Sequence, residues 1–306
     1  MAASQNISSP RLFDWILFLL APLFFSSNLI FGRGITGEVG PFTTALLRWL
    51  GAAVLMSPFI WQERRACLSF VRQHTALWLT LGILGMGICG GVVYWALTLT
   101  TASNATLIYT TSSLFIILFQ WLFQKRAITR LELLGMVIAF SGVVAIVLKG
   151  HPEALLSLSF NIGDLAILVA AIAFAAYSLL LRRPSVREMP PLPLFALLAL
   201  SGAMVLIPAG VVEMASGGLL PDTMTEFAKL AGIILFASLA AFYCFQHAVQ
   251  VFGPGIAGMT LYLMPPMSIL MAVVFLGEHF ERYHAVGIVL VTGGLMLATA
   301  PGRKTG

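Results

Sequence analysis

Apolar residues fall into ten stretches, at 13–31, 41–60, 76–97, 103–123, 131–148, 163–181, 191–213, 229–252, 256–276 and 284–300, separated by charged, proline or glycine breaks. A helix needs roughly 20 apolar residues to cross about 30 Å of bilayer hydrocarbon. Ten such helices occupy most of a 306-residue chain and leave only short connections. Just 9% of the residues are charged, against about 25% in a soluble domain, so most of the outer surface faces something other than water. Lipid is the solvent that fits. The predicted fold class is an all-α integral membrane protein with ten transmembrane helices. The connections at 98–102 and 253–255 are short, which makes spans 3 and 4, and spans 8 and 9, antiparallel hairpins.

Lysine and arginine set the orientation, because cytoplasmic loops carry the excess of both. With the N-terminus cytoplasmic, the inner segments hold Arg11, Arg64, Arg65, Arg72, Lys125, Arg126, Arg130, Arg182, Arg183, Arg187, Arg303 and Lys304. The outer segments hold Arg33, Lys149, Lys229 and Arg282. The expectation is a multi-pass protein of the cell inner membrane with both termini cytoplasmic and the lipid bilayer as its surroundings. Leu12 to Phe31 is too long for the apolar core of a signal peptide and counts as the first span. The basic residues are scattered over loops, so no nucleic-acid partner is implied. Cys67, Cys89 and Cys244 show neither a disulfide framework nor metal spacing and read as packing residues; no metal and no cofactor are expected.

The chain also resembles itself. Ala96–Leu148 aligns without a gap on Ala248–Ala300 at a shift of 152, with identities at Ala105/Ala257, Phe123/Phe275, Arg130/Arg282, Gly135/Gly287 and Gly142/Gly294. Near a shift of 150, Pro41 and Pro58 bracket span 2 as Pro191 and Pro208 bracket span 7, and Arg33 corresponds to Arg182. Each half holds five spans. Five is odd, so the second half enters the membrane upside down, an arrangement that places a site near the midplane between two rocking halves. The predicted domains are 11–150 and 160–302.

Several residues of the two copies carry a family likeness. Ala96-Leu97, Ala102-Ser103, Leu133-Leu134-Gly135 and Ser141-Gly142-Val143 in the first, and Leu276-Gly277-Glu278, Val286-Gly287 and Gly293-Gly294 in the second, resemble an EamA domain. The first copy departs from the pattern at Lys125-Arg126, where the second has Gly277-Glu278. Two EamA domains imply the ten-helix drug/metabolite transporter superfamily. Length, Trp/Tyr distribution and loop pattern are most similar to its aromatic amino-acid exporters of the YddG type.

Ionisable residues within spans are functional candidates, because burying a charge in hydrocarbon is costly. All twelve acids lie in loops or at helix ends, Asp164 and Glu213 among them. Arg48 is read as lying a third of the way from the inner end of span 2, where it snorkels to the cytoplasm or binds a carboxylate, with the structural role preferred. The lack of several pore cations disfavours phosphate or nucleotide-sugar cargo, and the lack of a spanning carboxylate disfavours proton coupling. Small neutral or zwitterionic substrates fit, carried by facilitated diffusion or exchange. His247 is the one spanning group of a type that titrates near neutrality.

By depth, Ser112, Ser113, Ser238, Met86 and Met264 fall around the midplane and are the candidate substrate-binding residues. Asn28, Tyr94, Trp95 and Tyr109 form an outer gate layer, and Tyr177, Gln246, His247 and Tyr262 an inner one. The repeat relates Asn28 to Tyr177, Tyr94 to Gln246 and Trp95 to His247, so these positions exchange roles between outward- and inward-facing states. Other roles compete: Tyr94 and Trp95 as interfacial anchors, the serines as donors to their own helix, the methionines as packing and His247 as a hydrogen-bonded structural residue. Pro22, Pro265-Pro266 and the glycines from Gly82 to Gly91 mark broken or closely packed helices. No catalytic residue is assigned. A His-Glu-x-x-His pair, a spanning carboxylate dyad and a Gly-x-Ser-x-Gly elbow are all missing from the sequence, which argues against a membrane-embedded enzyme. Export of amino acids, aromatic and other neutral ones, is the expected function, with efflux of amphipathic drugs or other neutral metabolites as the alternative.

Overall fold

A computed structural model describes residues 10–35, 37–100, 105, 108–148, 151, 153, 161–276 and 280–299. The described residues form long helices α1 (Leu12–Ile35), α2 (Pro41–Gln62), α4 (Thr75–Ala96), α5 (Ile108–Gln124), α6 (Arg130–Val147), α7 (Ile162–Leu180), α8 (Pro191–Ala215), α9 (Met224–Phe252), α10 (254–276) and α11 (Arg282–Thr299). Between α2 and α4 lies a ten-residue helix, α3 (Arg64–Gln73). Six of the long helices are long and apolar enough to cross a membrane, and Leu12–Asn28, Ile108–Gln124 and Arg282–Ala298 are shorter apolar segments. Gly277, Glu278, Ser103, Arg303 and Lys304, on which parts of the sequence argument rest, lie outside the described residues.

Local chemistry sets the helix ends. Pro41, Pro191 and Pro254 each open a helix, where a missing N–H costs nothing. Asn161 with Asp164 and Thr223 with Glu226 form reciprocal capping boxes at the starts of α7 and α9. The helix α10 is a composite of Pro254–Met259, a tighter 3-10 segment Thr260–Leu263, and Met264–Leu276. The break precedes Pro265-Pro266, whose missing N–H groups free carbonyls one turn earlier. Lys125, which replaces the glycine of the motif in the first copy, takes a left-handed φ of 52°, and Arg126 beside it pairs with Glu132 at 2.8 Å.

The inversion of the repeat is visible where α6 crosses α11. A Cβ on Gly135 would stand 2.5 Å from the Gly294 carbonyl, and one on Gly142 would stand 2.8 Å from the Gly287 carbonyl. These glycines therefore let two backbones touch. The two contacts run antiparallel, and the 152-residue shift turns each into the other. Such a pair is generated by a twofold axis in the plane of the membrane, which makes the halves inverted copies. The same logic joins α2 to α8, where Gly210 packs on Leu46 and the Glu213 carboxylate accepts from the backbone N–H of Thr43 at 2.6 Å.

One feature departs from expectation. Residues 64–73 form a helix with two buried residues, Cys67 and Phe70, opposite Arg64, Arg65 and Arg72. The ten residues of this amphipathic surface helix are too few and too polar to register as a span in the sequence.

Candidate functional site

Between the halves lies a cavity of about 120 Å³. Its wall takes Phe25 and Asn28 from α1, Arg48 from α2, Cys89, Val93 and Leu97 from α4, Tyr109 and Thr110 from α5, Ile167 from α7, Ala237 and Phe242 from α9, and Leu261 and Met264 from α10. Aromatic and aliphatic groups dominate, with a few polar atoms, the usual make-up of a small-molecule site.

Two hydrogen-bonded pairs flank the cavity. Tyr94 OH donates to Asn28 Oδ1 at 2.6 Å, joining α4 to α1. Gln246 Nε2 donates to Tyr177 OH at 2.8 Å, joining α9 to α7. These are the residues that the repeat equates, Asn28 with Tyr177 and Tyr94 with Gln246, so one bond is the symmetry image of the other.

The surroundings of the two bonds differ. Phe174, Tyr177, Phe245 and Val249 are at most 1% exposed, whereas their repeat equivalents Phe25, Asn28, Val93 and Leu97 are all partly exposed. On the buried side the rings interlock, Phe174 on Phe245 at 4.8 Å and on Tyr177 at 6.0 Å. Beyond them, Arg182 Nη1 donates to the Gln250 carbonyl at 2.7 Å, and His247 Nε2 lies 2.8 Å from Asp14 Oδ1. Arg182 is held below the usual arginine range by burial, then by the neighbouring Arg187 charge. Among the described residues, the side chains around Tyr177–Gln246 are therefore packed shut, and those around Asn28–Tyr94 keep some exposure.

Asp14 and Asp164 open the first helix of each half, and each reaches the last residues of a helix from the other pair of elements: Asp14 to His247 of α9, Asp164 to Thr100 just beyond α4. Acids at the helix ends are thus engaged across the bundle. Trp15 packs on Phe252 at 4.7 Å while remaining partly exposed.

Both α4 and α9 widen into a π-helical stretch, Ile83–Val92 and Ile233–Ala240, which overlap under the repeat shift. A π turn loosens the backbone ladder and is common at functional sites. In α9 the Ala237 carbonyl accepts from Arg48 Nη2 at 3.3 Å, and Ser238 Oγ both donates to the Ile233 carbonyl and accepts from Arg48 Nε at 2.9 Å.

The structure corrects the placement of Arg48. It stands seven residues into α2, at the end that begins with Pro41, on the same side as Asn28 and Tyr94. Its guanidinium is buried at the cavity wall, bonded to Tyr94 OH at 3.1 Å and set over the Trp49 ring at 4.8 Å. Snorkelling to the opposite surface is excluded by these bonds. Its signal in the sequence was its status as the lone cation within a span.

The other proposed site residues separate into groups. Asn28, Tyr109 and Met264 line the cavity. Tyr94 and Ser238 stand behind the wall and hold Arg48. Tyr177 and Gln246 belong to the seal, with His247 at its far edge. Trp95 packs in a small cluster with Ala105, Ala166 and Ile167. Ser113 donates to the Gly258 carbonyl, tying α5 to α10. Ser112 and Met86 are fully buried outside the cavity lining, Met86 against Gly202 of α8. Tyr262 sits with Met136, Val143 and Val291 in the α5–α6–α10–α11 core. Phe25, Phe174, Phe242 and Phe245 form the cavity floor and seal without having been singled out, since 22 phenylalanines offer no contrast in sequence.

Comparison with known proteins places this geometry in context. The profile of the EamA-like transporter family matches residues 13–148 and again 161–300. An uncharacterized transporter of Archaeoglobus fulgidus is 27% identical over 293 residues, spanning 93% of this chain and 96% of that protein. The uncharacterized transporter YetK of Bacillus subtilis is 22% identical over 89% of this chain and 82% of its own. The uncharacterized inner membrane transporter YedA of Escherichia coli K12 is 24% identical over 85% and 81%. A solved crystal structure superposes with a TM-score of 0.76 at 20% identity, covering 95% of this chain and 97% of its own, and has the same fold.

Proposed function

Because the chain belongs to the EamA-like transporter family, we propose that it moves neutral and zwitterionic amino acids, aromatic ones among them, out across the inner membrane by alternating access. The two halves, 11–150 and 160–302, are the rocking units. The observation that carries this reading is the pair of symmetry-related bonds, Asn28–Tyr94 and Tyr177–Gln246, on either side of one cavity. In an inverted repeat, a cavity open on one side and sealed on the other has a mirror state of similar energy with the sides exchanged. With both termini cytoplasmic, as the basic residues suggest, the open side faces outward. The YedA relative bears "inner membrane" in its name, which supports the same location.

The lining supports the substrate class. Phe25, Phe242 and Leu261 offer an apolar bed, and Asn28 and Arg48 offer polar atoms at its edge. That bed also suits amphipathic drugs, so the test has two arms. Purified protein in liposomes is expected to take up labelled phenylalanine saturably, with unlabelled neutral amino acids competing. Saturable transport of an amphipathic cation such as ethidium, without phenylalanine uptake or competition, would replace the amino-acid reading with drug efflux.

A further inference from the structure

The Arg48 guanidinium presents an incomplete set of partners. An arginine has five N–H donors in a planar fork and keeps its charge at physiological pH. Three donors are used: Nε to Ser238 Oγ, Nη1 to Tyr94 OH and Nη2 to the Ala237 carbonyl. One N–H remains on each terminal nitrogen, and a guanidinium with two such donors can bind a carboxylate. All three acceptors are neutral. Among the described residues the ion pairs are Arg126–Glu132, His151–Glu153, Lys229–Glu38 and His247–Asp14, and none includes Arg48. The residue is 4% exposed. A buried charge with no counter-charge is expensive unless something completes it.

The position is also unsymmetrical. Under the shift that pairs Pro41 with Pro191, the partner of Arg48 is Leu198, which is fully buried. Scaffold and gates are duplicated, but the charge is present in one half only. A residue kept for packing the shared scaffold would have no reason to differ in this way. A residue that orients an unsymmetrical ligand would.

We propose that Arg48 is the anion anchor of the cavity, receiving the carboxylate of a monocarboxylic solute whose apolar body lies on Phe25, Phe242 and Leu261. This rests on the transport reading above and deepens it. The anchor is wired to a gate: Tyr94 accepts from Arg48 and donates to Asn28.

The test uses the full-length protein and three probes of one shape: L-phenylalanine, 3-phenylpropanoate and L-phenylalaninamide. The first two share the carboxylate, and the first and third share the α-amino group. Transport in liposomes is expected to favour both acids over the amide, and Arg48→Gln to lower that preference about tenfold or more, the worth of one charge-assisted contact, while amide transport persists. Loss of selectivity with retained amide transport is not produced by a merely structural role. A wild-type protein that carries amide and acids alike, or an Arg48→Gln protein that keeps the preference, overturns the anchor and leaves the transporter intact.

Should the wild type carry none of the three, the amino-acid reading fails. Binding then decides the anchor separately. Thermal unfolding of the detergent-solubilised protein at fixed ionic strength, with and without 3-phenylpropanoate, is expected to show stabilisation in wild type that Arg48→Gln abolishes. Equal stabilisation of both, or of neither, overturns it. Where Arg48→Gln is not recovered as a monodisperse protein, Arg48→Lys keeps the charge but loses the fork and is expected to show a reduced preference in the same assays.

Discussion

The Tyr94–Asn28 and Gln246–Tyr177 pairs occupy equivalent places in two inverted copies of one five-helix unit, yet one stands beside a cavity and the other within a packed seal. Both bonds have ordinary lengths, 2.6 and 2.8 Å. The difference lies in what surrounds them. Phe174 and Phe245 interlock around Tyr177, while Phe25 and Val93, their counterparts, leave room beside Asn28. Gates of this kind close by aromatic packing, with the hydrogen bond satisfying polar atoms that packing would otherwise strand. Only a change in packing, not in chemistry, then separates the two states.

The comparison breaks most severely at the contact that makes it possible. Gly142→Leu puts a side chain against the Gly287 backbone, where no flexible group can yield, and overpacking there costs about 1–3 kcal/mol or more. The repeat image, Gly294→Leu, is expected to be equally harmful, and Gly293→Ala, which meets nothing within 4 Å, harmless. Thermal stability of the detergent-solubilised variants measures this. Tolerance of Leu at position 142 with damage at 293 would refute the crossing.

The next effect is smaller and concerns the balance between states. Tyr177→Phe leaves the Gln246 amide without its partner in a buried seal, which costs about 1–3 kcal/mol and weakens closure on that side roughly tenfold. A cysteine placed at Phe245 is then expected to become reactive to a thiol reagent. Asn28→Ala should act in the opposite direction, leaving position 245 protected. His247→Gln, at the partly exposed edge of the seal, should change labelling by only a few-fold, since pairs in contact with solvent contribute up to about 1 kcal/mol. Equal effects of Tyr177→Phe and Asn28→Ala would mean the two bonds are not opposed.

What sequence made legible follows from which signals survive in an apolar chain. Span positions are readable because lipid demands length, and the repeat pairs Asn28 with Tyr177 at a shift of 149 and Tyr94 with Gln246 at a shift of 152. Direction around each helix axis is not readable. A helix that is apolar on all sides has no face to read, so Ser113, Met86 and Tyr262 were placed at a fitting depth while their side chains meet α10, α8 and the α6–α11 core. The sequence reading puts Arg48 near the inner end of α2, although the alternation of spans makes Pro41 an outer boundary. The seal is not legible in the sequence because phenylalanines facing lipid and phenylalanines facing each other look alike there.

The central claim, that one cavity opens to opposite sides in turn, is tested most directly at Val93 and Phe245, two positions that the repeat equates. In a protein whose Cys67, Cys89 and Cys244 are replaced by alanine, a single cysteine at each position is challenged with an impermeant thiol reagent from either face of oriented vesicles. The account predicts that the cysteine at 93 reacts from one face only and the cysteine at 245 is protected in the resting protein. It further predicts that a transported substrate at saturating concentration lowers reaction at 93 and raises it at 245 from the opposite face. Reaction of both cysteines from the same face, or a substrate that shifts both in the same direction, would contradict alternating access.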